Sequence, residues 1–187
     1  MAVNNALNVS YGKPAVGGAV FCAPIGTTLP TTADEQLDAA FVNLGYCSED
    51  GMTNTMSIES EEIKAWGGDT VLRAQTSFDD AFGLTLIETL NTDVLKAVFG
   101  AGNVSGTLST GIAVAVNGGE RSNYCWVVDT ILTGGVLRRF VVPVGKITEI
   151  AEITYKDSEA IGYGLTIGSV TDAAGNTHYE YTKSPAH

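Results

Sequence analysis

The chain has 187 residues, 44% of them hydrophobic, with 22 glycines, 5 prolines and a formal net charge of -11. That is room for one folded domain with a real core, and it excludes a disordered chain. With only 10 basic residues and no basic run, a protein that grips nucleic acid by neutralising phosphates is also excluded, and solubility is the plain reading of the acidic balance.

Taken in order, Met1 to Tyr11 has neither a basic start nor an apolar run and does not read as a signal peptide. Residues 1–16 read as a flexible arm, 17–182 as a single domain and 183–187 as a tail. No run approaches the roughly 18 continuous apolar residues of a membrane helix. Gly18 to Ala23 is a short apolar strand stopped by Pro24, residues 26–36 are loop-like, and Leu37 to Phe41 can form one helical turn. Leu44 to Asp50 reads as a strand ending at Gly51. Residues 51–68 are polar and close on Gly67–Gly68; they read as a long hairpin loop, of the kind that is functional or interfacial in compact domains.

Two period-two strands follow. In Asp69 to Phe78 one face carries Asp69, Val71, Arg73, Gln75 and Ser77, and the other Thr70, Leu72, Ala74, Thr76 and Phe78. In Ala81 to Thr89, Phe82, Leu84 and Leu86 share a face, with Asp79–Asp80 turning the chain between the two. The period then changes. Val94, Leu95, Val98 and Phe99 fall on one helical face, Asn91 or Thr92 can cap the start, Asp93 suits the first turn and Gly100 the exit. The predicted strands resume at Gly111–Val116, Cys125–Leu132, Leu137–Val144, Ile147–Tyr155, Gly162–Val170 and His178–Tyr181. Gly118–Gly119, Gly134–Gly135 and the run from Asp172 to Asn176 supply hairpin turns. This is a mainly β chain: an antiparallel sandwich or barrel with one flanking helix and a long hairpin loop.

No constellation of nucleophile, base and charge stabiliser stands out, and the expectation is a protein that is not an enzyme and holds no metal or cofactor. Cys22, Cys47 and Cys125 are distant, odd in number and set among apolar residues, which fits buried free thiols better than a disulfide framework or zinc. Of the two histidines, His178 reads as a surface strand residue and His187 is the last residue. The segment from Gly100 to Gly106 follows a helix and lacks the spacing and the Lys-Ser/Thr close of a phosphate loop. The sequons at Asn8 and Asn103 carry no meaning without secretion. Glu59, Glu61 and Glu62 sit in a polar segment with no apolar pocket to raise a pKa, so a solvated face or partner contact outweighs a carboxylate pair or a calcium site. Trp66 is either a core plug or an interface anchor.

Several stretches, in one order and at similar spacing, carry a resemblance. They are Leu44-Gly-Tyr-Cys-Ser-Glu-Asp-Gly51 and Ile63-Lys-Ala-Trp-Gly-Gly-Asp69; Leu86-Ile-Glu-Thr-Leu-Asn-Thr-Asp-Val-Leu-Lys96 with Val98-Phe-Gly100; and Gly145-Lys-Ile-Thr-Glu-Ile150, Ile153-Thr-Tyr155, Ala160-Ile-Gly-Tyr163 and Gly175-Asn-Thr-His-Tyr-Glu-Tyr181. Over most of residues 17–182 the chain resembles the major tail tube proteins of siphophages of Gram-positive bacteria. The resemblance implies two packed antiparallel sheets with one helix, rings of six subunits stacked into a hollow tube, a long hairpin reaching a neighbouring subunit or ring, and termini that are mobile until assembly. It also implies a virion component made in the host bacterial cytoplasm. The implied partners are copies of the chain itself, a tape measure protein, and tail terminator and distal tail proteins, with double-stranded DNA passing through unbound and no membrane.

Elementary geometry agrees with that picture. Bare sheet edges are sticky unless covered. If about six copies each give about four strands at ~4.8 Å spacing, tilted roughly 40°, the backbone circle is about 50 Å wide, more than a DNA duplex needs. Expected contact residues are Glu59, Glu61, Glu62, Ile63, Lys64 and Trp66. Candidate lumen-facing acids, on the reading that they alternate on strands, are Asp69, Glu149 and Glu152, with ordinary outer-surface carboxylates as the competing reading. Alternatives are a tube subunit of a phage-tail-like bacteriocin or injection particle, a carbohydrate- or cell-binding β-sandwich module, and, last, a hydrolase.

Overall fold

In the computed structural model, which describes residues 4–185, the period-two pattern appears directly as burial. Phe82, Leu84, Leu86, Leu165 and Ile167 are buried, while the residues between them are half-exposed. His187, the first three residues of the expected arm and the last two of the expected tail lie outside the described residues.

The strands are β1 (Gly12–Pro14), β2 (Val20–Pro24), β3 (Val42–Asn43), β4 (Cys47–Lys64), β5 (Thr70–Leu86), β6 (Val104–Thr107), β7 (Gly111–Val114), β8 (Tyr124–Leu132), β9 (Leu137–Ile150), β10 (Tyr163–Ser169) and β11 (Tyr179–Lys183). One helix, α1 (Thr92–Phe99), follows β5. Nine strands form one sheet in the order β3-β2-β8-β9-β10-β5-β4, with β1 on β8 and β11 on β9, and β6 pairs β7 separately. All pairings are antiparallel.

The ends of that order are neighbours in the chain. β3 ends at Asn43 and β4 begins at Cys47, a span of at most about 14 Å. Within it, Leu44 N–H donates to Val20 on β2 at 2.9 Å, and Tyr46 C=O accepts from Ile87 just past β5 at 3.1 Å. The sheet must therefore coil until its two margins almost meet, and its inner side chains join one core with α1 and the β6–β7 pair. This is the expected sandwich or barrel with a single helix.

Within the core Trp126, Phe82, Leu44, Leu86 and Ile167 are essentially inaccessible, each worth about 1.5–3 kcal/mol of burial. Trp126 Nε1 donates to Gly145 C=O at 3.1 Å, and a Cβ on Gly145 would sit 2.7 Å from the indole, so only glycine lets β9 pass over the ring. Helix α1 sinks Val94, Leu95 and Val98 into this core. Asn91 caps it, its side-chain oxygen accepting from Asp93 N–H at 3.0 Å. Asn91→Ala is expected to cost about 1 kcal/mol, a fall of roughly 2–4 °C in Tm by calorimetry.

Several sequence-based elements are corrected. Leu37 to Phe41 contains no helical turn, only a bend closed by Phe41 N–H to Asp38 C=O at 3.0 Å. The strand starting near Cys47 does not end at Gly51: it bulges there, where Gly51 takes a positive φ of 75°, and continues to Lys64. Asp79–Asp80 is no turn, because β5 runs unbroken through it and stops at Leu86. The expected strands on either side of Gly145 are one strand, β9, and no strand covers residues 151–162. Gly118–Gly119 joins strands that pair elsewhere and makes no hairpin. The 172–176 turn is real, with Asp172 N–H to Asn176 C=O at 2.9 Å, but β10 and β11 both pair with β9 instead of each other. Cys22 and Cys125 are buried and Cys47 is half-buried. Burial, helped by Asp93, pushes the Cys22 thiol up to about 12, and burial with Glu88 pushes Cys47 up to about 11, so neither is a ready nucleophile.

One buried charge holds the 26–40 loop. Arg139, 5% exposed, forks onto Asp129 through Nε (2.6 Å) and Nη2 (2.8 Å), while Nη1 donates to the carbonyls of Thr32 (3.1 Å) and Glu35 (2.7 Å).

Candidate assembly site

β4 and β5 are longer than the body they belong to. β5 pairs with β10 only from Ala81 to Leu86, whereas β4 and β5 pair with each other from Cys47↔Leu86 out to Lys64↔Thr70. Beyond Ala81 the two strands stand as a free ribbon, and no residue from 57 to 79 is buried. Segment 51–68 does belong to a long hairpin, as expected, but it is strand as far as Lys64; the turn is confined to Ala65–Asp69, closed by Ala65 N–H to Asp69 C=O at 2.8 Å. Trp66 sits at its tip, followed by Gly67 and Gly68 with φ of 120° and 101°, the left-handed region that glycine enters freely.

A bulge twists this ribbon. Glu59 opposes Ser77 and Ser60 opposes Gln75, leaving Thr76 extra. Side chains directly opposite share a face, so Phe78, opposite Ile58, lies on the face of Gln75 and Arg73. The strict alternation read from the sequence put Phe78 with Leu72 and Ala74; the extra residue moves it across. One face then presents Met56, Ile58 and Phe78 near the root, and the other presents Ile63 and Leu72 near the tip, all exposed along with Val71 and Trp66. Among the described residues, neither ribbon edge beyond Ala81 has a strand partner.

The expected contact residues are thus brought together on one element. Glu59, Glu61, Glu62, Ile63 and Lys64 all lie on the outer half of β4. Glu62 pairs with Arg73 across the ribbon and accepts from Thr70 Oγ1 at 3.1 Å, and Glu59 accepts from Ser77 Oγ at 3.2 Å. Trp66 is fully exposed, so within one chain it plugs no core. The three candidate lumen acids are not a set. Glu149 is exposed on β9, Asp69 belongs to the ribbon turn, and Glu152 follows the end of β9, so two of the three do not alternate on strands.

At the ribbon's root lies a site that strand reading missed. Asp80, 3% exposed, accepts from Asn54 Nδ2 at 2.7 Å, and its other oxygen is 2.6 Å from His178 Nδ1. His178 is no surface residue: its side chain is 11% exposed and meets Phe82 edge-on at 5.1 Å. Burial pushes the Asp80 carboxyl up, but hydrogen bonds from Thr177, His178 and Asn54 together hold it below the ordinary carboxylate range. One sequence signal existed: with no turn at 79–80, Asp80 continues the inward face of Phe82, Leu84 and Leu86 as its lone charge.

The coiled antiparallel body, its α-helix and the exposed ribbon can now be set beside known families. The description "Phage tail tube protein" matches residues 3–184. The chain belongs to the phage tail tube protein family. No curated protein matches it. Membership makes it a structural component of a phage tail tube, an object built by self-assembly together with other tail proteins.

Proposed function

We propose that the chain polymerises into rings of six that stack into the tube of a siphophage tail, through which DNA leaves the virion, and that the ribbon is the arm joining subunits. The observation that carries this is the ribbon itself: two strands with bare edges and exposed Met56, Ile58, Ile63, Trp66, Leu72 and Phe78. Such edges invite pairing unless they are covered, and identical neighbours cover them at no cost in specificity. Glu59, Glu61, Glu62 and Lys64 then face a neighbour, and a tape measure protein and terminator and distal tail proteins meet the tube inside and at its ends.

We place the outward face of β4, β5, β10 and β9 on the bore. Support comes from the register: Thr53, Gly83, Thr166 and Glu149 form one row, and Thr55, Ala81, Gly168 and Lys146 the next. All of these but Glu149 and Lys146 are small and uncharged, and Lys146 is paired with Glu120. Such a wall offers phosphates little to hold, and Glu149 repels them.

The test is negative-stain microscopy and sedimentation of the purified chain over rising concentration. The expected result is hollow tubes of uniform width with a bore of about 50 Å or less between backbones. A chain that stays monomeric at the highest concentration, including in the presence of tube ends as seeds, overturns the reading.

A further inference from the structure

We propose that Asp80 and His178 form a latch that sets the angle at which the ribbon leaves the body, and so where its contact residues are presented; this rests on the ribbon being the assembly arm. Asp80 is the first β5 residue past the last rung shared with β10, Ala81↔Gly168. From that point outward, among the described residues, β5 has β4 beside it and no second neighbour. A two-stranded ribbon alone is marginal and twists freely, so something at its root must define its direction.

The side chains at that point come from four elements. Asp80 is on β5, Asn54 on β4, and His178 immediately precedes β11. His178 Nε2 lies 3.6 Å from Glu180 Oε1 on β11, and Glu180 in turn pairs with Arg138 on β9. Asn54 Nδ2 reaches both Asp80 Oδ1 (2.7 Å) and Ala81 C=O (3.2 Å), tying the two ribbon strands to each other. A carboxylate only accepts, so Nδ1 of His178 carries the proton it shares with Asp80. Phe82, edge-on to His178, packs edge-on to Phe140 at 6.2 Å, so the imidazole is wedged between the ribbon root and the β9 surface. β10 and β11 both leave β9 near here: β10 reaches Gly145 and β11 begins at Val141. His178 sits at that break in the sheet and fastens β5 where no strand does. A buried, hydrogen-bonded polar pair, whose bulk stability an apolar pair could match, is well suited to fixing one arrangement over others.

The experiment compares full-length wild type with Asp80→Ala, His178→Leu and His178→Asn. The last keeps a donor near the position of Nδ1. The readouts are amide exchange at the root (residues 53–57 and 79–82), exchange in β8, and tube formation. The expected result is root exchange about tenfold faster in Asp80→Ala and His178→Leu, β8 unchanged, tube formation lost, and both effects reversed in His178→Asn. Unchanged root exchange in His178→Leu, or no rescue by Asn, overturns the latch and leaves the tube reading standing. Fast root exchange with normal tubes overturns the claim that the latch sets how the ribbon is presented, and leaves the ribbon's own role to the deletion of 57–79. If Asp80→Ala does not fold, the His178→Leu and His178→Asn pair decides alone.

Discussion

A chain in which residues 57–79 are replaced by Asn-Gly, joining Met56 to Asp80, is expected to be a folded monomer that forms no tubes. The junction is chosen from the register, since Met56 and Asp80 are directly opposite, and a two-residue Asn-Gly turn closes such a pair. None of the removed residues is buried, while Phe82, Leu84 and Met52 keep their places against the core. Loss of exposed side chains changes stability little, so Tm should stay within about 4 °C of wild type, a shift worth roughly 1–2 kcal/mol. Meanwhile the bare ribbon edges from 57 to 79 are gone, and of the ribbon's exposed apolar side chains only Met56 remains. Analytical ultracentrifugation and microscopy at matched concentration check it; tubes from the trimmed chain would show that the ribbon is not the joining arm.

Arg139→Met is expected to destabilise the fold by about 3 kcal/mol, at the low end of what breaking a buried pair costs. The low end applies because Asp129, its side chain 18% exposed, can partly rehydrate. Two carbonyls, Thr32 and Glu35, lose their donor as well, so the 26–40 loop should become the first site of proteolysis. Adding Asp129→Leu removes the stranded charge and should recover part of the loss without restoring protection of the loop. Denaturant unfolding with limited proteolysis reads both; equal stability of Arg139→Met and wild type would mean that the fork contributes nothing.

The strands of the body were legible because their burial is one-sided. Phe82, Leu84 and Leu86, or Leu165 and Ile167, declare an inner face by alternation alone, and α1 declared itself by its period and its cap. The ribbon was legible only as something unusual. Between Thr55 and Lys64 neither face is buried, so no alternation can form, and polar exposed strand looks like loop. The bulge at Thr76 has no residue signature, and it misled the facing of Phe78. Asp79–Asp80 looked like a turn because acids favour turns; the contacts with Asn54, Thr177 and His178, the last 98 positions away, explain a buried carboxylate there. Long-range pairings of this kind also hid Arg139, whose partners lie about a hundred positions upstream as well as on the next strand.

β5 passes without interruption from the ribbon tip into the wall of the barrel, with no loop between Thr70 and Leu86. Hinges need a few residues free to change φ and ψ; β5 has no loop to supply them, and the point where it loses its second neighbour, Asp80, is held by His178 and Asn54. A push or pull applied at Trp66 therefore travels along covalent backbone to Phe82 and Leu84, at the centre of the molecule, instead of being absorbed on the way. Each subunit is in effect a lever with its fulcrum at Asp80, and a column of such levers would bend and relay force as one elastic body.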